Sequence, residues 1–341
     1  MDKKFFDKIT PIISVSGYEE DVQKVTQKEW EKWCDKVEID PVGNLIGMIK
    51  GKGPKIMLMA HSDEVGFIVS SIDEDGFIWF QPIGDQDPQI LPSNLVKIKT
   101  KRGIIYGIAA KKDPFVTEEW EKVSHFNEQW IDIGARSKEE AEKYVSIGDP
   151  IVMDRESGFL LGNYYFARAV DDNIGIFILT EILKKMCRAK KKPTIFAVSS
   201  VQEEVGSRGS RPVTLRIQPD YAIIVDTIPS SDTPFSDKSK QGDIKIGYGP
   251  VLTRGGGVTD PTLFELFSQT AKRYRIPLQI EAPVIPPPSD ITEVQITGVG
   301  VRCCGLSIPV RYPHYPAQVF CWKDVENYIK LLTKVLLKIK S

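Results

Sequence analysis

Four short apolar runs punctuate the chain, and each leads directly into a polar cluster: PKIMLMA (54–60), TIFAVSS (194–200), YAIIV (221–225) and GLSIPV (305–310). Runs of this length suit buried strands, and the stretches between them have helical length and periodicity. In DDNIGIFILTEILKKMCRAKKK the apolar residues Ile174, Phe177, Ile178, Ile182 and Met186 recur at helical spacing, Asp172 stands near the N-cap and lysines close the far end. PTLFELFSQTAKRYRIP and KDVENYIKLLTKVLLKIK read the same way. Strands alternating with helices predict an α/β fold, a largely parallel mixed sheet flanked by helices.

From about Gly66 to Asn163 the pattern changes. GFIVSSI, GFIWFQPI, LVKIKT, GIIYGIAA and DPIVMD are β-like and separated by glycine and acidic turns, with helical periodicity only in SKEEAEKYV. The change predicts a small β-rich domain, 67–163, inserted into an α/β domain built from 1–66 and 164–341. A chain of 341 residues is long enough for two domains. Its 41 % hydrophobic and 27 % charged residues leave a formal net charge of −1. That balance gives no field toward nucleic acid or an anionic membrane. MDKKFFDKIT lacks a long apolar stretch, and the apolar runs are too short to span a bilayer, so a cytoplasmic protein is expected. The cysteines (Cys34, Cys187, Cys303, Cys304, Cys321) are odd in number and form no C-x-x-C, which argues for reduced, mostly buried thiols.

The polar clusters carry the chemistry: HSDEVG (61–66), QEEVG (202–206), DTIPSSDTP (226–234) and RYPH (311–314). In open α/β sheets ligands bind outside the carboxyl ends of the strands, so these clusters converge on one crevice. His61 and Asp63 share a face of an extended segment, which lets the imidazole bind a metal while the carboxylate steadies it. The predicted helix start adds Asp171 and Asp172. Of three histidines, His61 and His314 both fall in the clusters. With Asp171, Glu204 and Asp226 they form a donor set suited to two divalent ions, zinc or cobalt, sharing one carboxylate at a spacing of about 3.5–4 Å. The adjacent glutamates of VQEEVGSRG (201–209) point in different directions on an extended turn. One can ligate a metal while its neighbour takes a proton from water.

HSDEVG, AVDDNIG, QEEVGSRG, VDTIPSSDTP and PVRYPH, in this order, resemble the TET-type glutamyl aminopeptidases of metallopeptidase family forty-two, co-catalytic enzymes once often called endoglucanases. SGYE (16–19), VGNLIG (42–47), IDIGARSKEEAE (131–142) and IGDPIV (147–152) extend the resemblance over nearly the whole chain. It implies a zinc-exopeptidase-like domain with a PDZ-like insertion, peptide substrates and, as in many members, a hollow tetrahedral dodecamer. By motif position it implies that His61 is a metal ligand and Asp63 its orienting partner. Asp171 becomes the bridging ligand, Glu203 the general base, Glu204 and Asp226 ligands of the two metals, and His314 the last ligand. The chain departs from the family at Asn173, where arginine is usual, and at Gln318, where glutamate is common. PPPSD (286–290) replaces a GGTD-like segment, and DPFVTEE (113–119) lacks the histidine many members carry there.

Other features read as structural. His125 lies away from every cluster, RAKKKP (188–193) is a solvated helix end, GGG (255–257) is a loop without a phosphate-binding pattern, and Trp30, Trp33, Trp79, Trp120, Trp130 and Trp322 serve packing. The reading is thus a metal-dependent aminopeptidase. Its rivals are a catalytically silent homologue that keeps metal and peptide binding, and a glycosidase that uses two carboxylates without metal. Arg254 and the lysines of SDKSKQGDIK are candidates for favouring acidic substrate side chains.

Overall fold

The computed structural model describes residues 3–117, 121–282 and 289–339. Trp120, the end of DPFVTEE and the three prolines of PPPSD lie outside the described residues.

In chain order, β1 (Lys36–Ile39), β2 (Leu45–Ile49) and β3 (Lys55–His61) belong to the main sheet. β4 (Gly66–Ile72), β5 (Ile78–Ile83), β6 (Leu95–Thr100), β7 (Gly103–Lys111), β8 (Gln129–Asp132) and β9 (Pro150–Met153) then close into an antiparallel barrel, ordered β4-β5-β8-β7-β6-β9. β10 (Gly158–Phe159) and β11 (Tyr164–Ala167) lead back to the part of the chain outside the barrel. There β12 (Thr194–Ser200), β13 (Tyr221–Pro229), β14 (Val251–Thr253), β15 (Gln279–Glu281), β16 (Arg302–Val310) and β17 (Gln318–Cys321) complete the strands.

The main sheet is ordered β1-β2-β12-β3-β13-β16-β14-β15. Its β12–β3, β3–β13, β13–β16 and β14–β15 pairs are parallel and the others antiparallel, so the expected largely parallel mixed sheet is present. Alternation along β3 explains why its sequence is apolar throughout. Ile56, Leu58 and Ala60 join the core on the face covered by the Val170–Met186 helix, whereas Met57 and Met59 join the opposite core with Val213 and Ile217 of the Ser210–Ile217 helix. Strands buried on both faces lose the polar half of the alternating pattern.

The Val170–Met186 helix is also less amphipathic than its spacing suggests, because Ile176, Leu179 and Leu183 are buried along with the predicted set. It lies between the sheet and the Trp322–Leu336 helix, in the same core as Trp322, Tyr328 and Leu332. Two strands outrun their apolar runs. β13 continues through Asp226 to Pro229 because β16 pairs with all nine of its residues, and β16 starts at Arg302, so Cys303 and Cys304 are buried strand residues. All five cysteines are free. The barrel has its own core, in which Phe67 packs edge-on against Phe80 and Phe126. No helix among the described residues is long and apolar enough to cross a membrane.

Candidate active site

Parallel pairing of β12, β3 and β13 brings three carboxyl ends together. His61 ends β3 opposite Ser200, and continuing the β3–β13 register by two residues sets Asp226 beside it. Glu203 and Glu204 follow β12 in a turn closed by Gly206 N–H and Ser207 N–H donating to the Glu203 carbonyl. Asp171 and Asp172 open the long helix but are not helical, with ψ of 106° and 37°, and the peptide between them is cis. Asp172 then caps the helix, accepting from Gly175 N–H at 3.0 Å. A β-carbon at Gly175 would sit 2.3 Å from the Asp172 carboxylate, so the cap requires glycine there. The same turn leaves Asp171 facing the crevice.

Asp171 stands at the centre. Its Oδ1 lies 3.3 Å from His61 Nε2, which in turn is 3.9 Å from Asp226 Oδ1. Its Oδ2 lies 3.7 Å from His314 Nε2, which is 3.4 Å from Glu204 Oε2. Two donor groups result: His61, Asp171 and Asp226, and Asp171, Glu204 and His314, each with ligand atoms within 4.8 Å of one another. Asp171 Oδ1 is buried without a hydrogen-bond partner. An orphaned carboxylate oxygen between imidazole and carboxylate donors is what a divalent cation would satisfy, so the residues fit two such ions.

The surrounding contacts fix these groups. Asp63 accepts Glu203 N–H at 3.0 Å on one oxygen and Glu204 N–H at 3.1 Å on the other, with Ser16 Oγ donating at 2.6 Å. It therefore braces the paired-glutamate turn as well as the imidazole. The closest partner of His61 Nδ1 is the Asp63 carbonyl, at 3.1 Å, with the carboxylate at 3.5 Å. Glu19 adds a second brace, accepting Gln202 N–H at 3.0 Å. Gln318 accepts Asp171 N–H at 2.7 Å through its side-chain carbonyl. The segment after β5 orients His314, whose Nδ1 donates to the Asp85 carbonyl at 2.7 Å. Asp290, the last residue of PPPSD, is buried and held by Ser200 Oγ at 2.6 Å and by Ser210 Oγ. Sequence reasoning gave Ser16, Glu19, Asp85 and Asp290 no role. SGYE and PPPSD pointed at three of them, and a backbone carbonyl such as that of Asp85 leaves no side-chain signal.

The charges are mutually perturbed. Burial, followed by the neighbouring Asp171, pushes the Asp226 and Glu204 carboxyls upward. Glu203 rises through burial, opposed by His61 and reinforced by Asp290 and Asp226. For His61, burial works against protonation, but the nearby Asp171 and Asp63 carboxylates outweigh it and raise its pKa well above the ordinary value. A buried carboxylate with a raised pKa is suited to accept a proton. The cluster opens onto a cleft of about 910 Å³ lined by His61, Asp171, Glu203, Glu204, Asp226 and His314. From there the cleft continues over the sheet toward Thr253 and Glu281.

Comparison with known proteins supplies the family and the fold. The pattern of the M42 glutamyl aminopeptidase family matches residues 43–331. A lysyl aminopeptidase of Pyrococcus furiosus is 32 % identical, covering 100 % of this chain and 98 % of that protein. The structure of a TET aminopeptidase from a Thaumarchaeota archaeon superposes with a TM-score of 0.94 at 30 % identity, covering 99 % of this chain and 96 % of that one. A TET peptidase of Pyrococcus horikoshii, described as assembling into a tetrahedron or a large octahedral shell, gives 0.88 at 27 % identity, with 98 % and 99 % covered. With the family pattern spanning most of its length, the chain belongs to the M42 glutamyl aminopeptidase family and is a peptidase.

Proposed function

We propose that the protein removes amino-terminal residues from peptides by a two-metal mechanism. The observation that carries the proposal is the placement of Asp171, whose two oxygens face two separate donor groups. His61 and Asp226 would hold one ion, Glu204 and His314 the other, and Asp171 both. The imidazole and carboxylate donors suit zinc or cobalt. Bound there, the ions would polarise the scissile carbonyl and lower the pKa of water. Glu203 takes a proton from the attacking water as its oxygen bonds to the carbonyl carbon, then delivers that proton to the nitrogen as the C–N bond breaks. Asp63 keeps Glu203 and Glu204 in register through their N–H groups.

The proposal extends to organisation. Residues 67–163 form a domain inserted between 1–66 and 164–341, and the protein works as a cytoplasmic homo-oligomer, a dodecamer by family resemblance. Ile104, Tyr106 and Ile108, on one face of β7 and roughly half exposed, are available to such an assembly. The names of its relatives include both glutamyl and lysyl aminopeptidases, so they do not supply the preferred residue.

Unblocked aminoacyl-anilides and short peptides test the reaction, assayed before and after chelation, with zinc or cobalt restored and Glu203→Gln alongside. Hydrolysis that disappears on chelation, returns with metal and is lost in the variant supports the proposal. Activity that survives chelation contradicts it.

A further inference from the structure

Beyond the metal-ligand cluster, the cleft runs along one face of the main sheet. Asp226 and Ile224 are two residues apart on β13, Gly305 and Ser307 two apart on β16, and Thr253 pairs with Glu281 across β14 and β15. Strand alternation puts these residues on a common face. The floor is apolar, from the buried side chains of Ile224, Val258 and Ile291. Gly305 keeps it open, because a β-carbon there would approach Thr253 Oγ1 to 3.2 Å. At the far wall stands Glu281, three strand steps from β13, about 14 Å at the usual spacing. Thr253 Oγ1 donates to its Oε1 at 2.6 Å, and no lysine or arginine among the described residues pairs with it.

An apolar trough ending in an unpaired carboxylate matches a side chain with an alkyl stem and a cationic tip. The cleft also carries Lys238 and Lys240, which would favour the opposite charge, but both are already engaged. Lys238 meets Asp243 at 2.7 Å and Lys240 meets Asp237 at 3.4 Å, with 53 % and 82 % of their side chains exposed. Exposed, partnered charges are screened, whereas Glu281 is mostly buried. Arg254, the other candidate for acidic selectivity, packs its guanidinium over the Phe264 ring at 4.8 Å and does not line the cleft.

We propose that Glu281 is the specificity-determining residue of the substrate pocket and selects peptides whose amino-terminal residue is lysine or arginine. The inference rests on the aminopeptidase reading of the adjacent cluster. Burial raises the Glu281 carboxyl pKa, so an arriving cation gains by holding the carboxylate ionised.

The test compares kcat/KM for lysyl-, arginyl-, norleucyl- and glutamyl-anilides on the metal-replete protein. Norleucine keeps most of the lysine stem and lacks the ammonium. The expected lysine-to-norleucine ratio is about 10 or more, falling toward 1 in Glu281→Gln, which still accepts from Thr253. Glu281→Lys is expected to shift the preference toward the glutamyl substrate, and Arg254→Ala to leave the ratios as they are. Calorimetry with free L-lysine and L-norleucine supplies a readout independent of turnover, with lysine binding about 10-fold tighter and the difference lost in Glu281→Gln. Cleavage without preference for the basic residues, or a preference that Glu281→Gln leaves intact, overturns the pocket assignment alone. A glutamyl preference abolished by Lys240→Ala overturns it in favour of the lysines. Failure to cleave any anilide overturns the aminopeptidase reading, and equal binding of lysine and norleucine then overturns the pocket as well.

Discussion

In the barrel, Lys97 meets Asp154 at 2.6 Å, Lys122 meets Glu128 at 3.1 Å and Lys138 meets Glu74 at 3.3 Å, around an interior of Phe67, Val69, Ile78, Phe80, Val96 and Ile98. At the carboxyl end of the main sheet, Asp171, Glu203, Glu204 and Asp226 crowd one crevice, and no lysine or arginine among the described residues pairs with any of them. The barrel follows the ordinary rule that charges stay in water or in opposite-sign pairs. The sheet end breaks that rule at a cost to stability, since like charges are buried together. Such an arrangement persists where function needs it, and two divalent cations would reverse the sign of the local balance.

Breaking the chemistry at the sheet end gives the largest expected effect. Glu203→Gln should lower kcat by about 10²–10⁴-fold with the metals still bound, measured at saturating zinc or cobalt. An activity within a few fold of the parent would remove Glu203 as the base. In the barrel the largest effect is one of packing. Phe67→Ala should cost about 3–5 kcal/mol, read from denaturant unfolding, because it empties the aromatic centre shared with Phe80 and Phe126.

Gln318→Leu sharpens the contrast at the edge of the site. It removes the acceptor for Asp171 N–H and should reduce metal affinity or activity by about 10–100-fold, whereas Gln318→Glu, which keeps a side-chain oxygen, should stay near the parent. Charge removal gives the smallest effect, and the one that separates the regions most cleanly. In metal-stripped protein Asp226→Asn should raise stability by about 0.5–2 kcal/mol as a repulsive buried charge disappears. Lys97→Met in the barrel should change stability by no more than about 1 kcal/mol. A loss of stability in stripped Asp226→Asn would mean that the sheet end is not repulsive.

The two regions also differed in how much the sequence revealed. Apolar runs and helical spacing located β3, β12, β13, the long helix at 170–186 and the change of pattern beyond Gly66, since each writes a local period into the chain. Barrel closure was not legible, because the β4–β9 pairing joins Phe67 to Ile151 and nothing local encodes that register. The extension of β13 through Asp226 was missed for the same reason: its partner, β16, lies far along the chain. At the site, the motifs named His61, Asp63, Asp171, Glu203, Glu204, Asp226 and His314 as candidates, and folding brings these residues to one crevice. Their supports were harder to see. Asp85 acts through its carbonyl, Ser16 through one hydroxyl in a turn, and Glu281 occupies an edge strand with no motif around it.

Zinc titration by calorimetry, paired with thermal unfolding, tests the central claim most directly when the metal-stripped parent is compared with Asp171→Asn. The account predicts two ions per chain in the parent and a rise in unfolding temperature as they bind, worth about 2.7 kcal/mol for each ion when free zinc reaches 100 times that site's dissociation constant. Because Asp171 serves both donor groups, the variant should bind both ions at least about 10-fold more weakly. A parent that binds fewer than two ions, or a variant that weakens only one of them, would contradict the shared-carboxylate site on which the account depends.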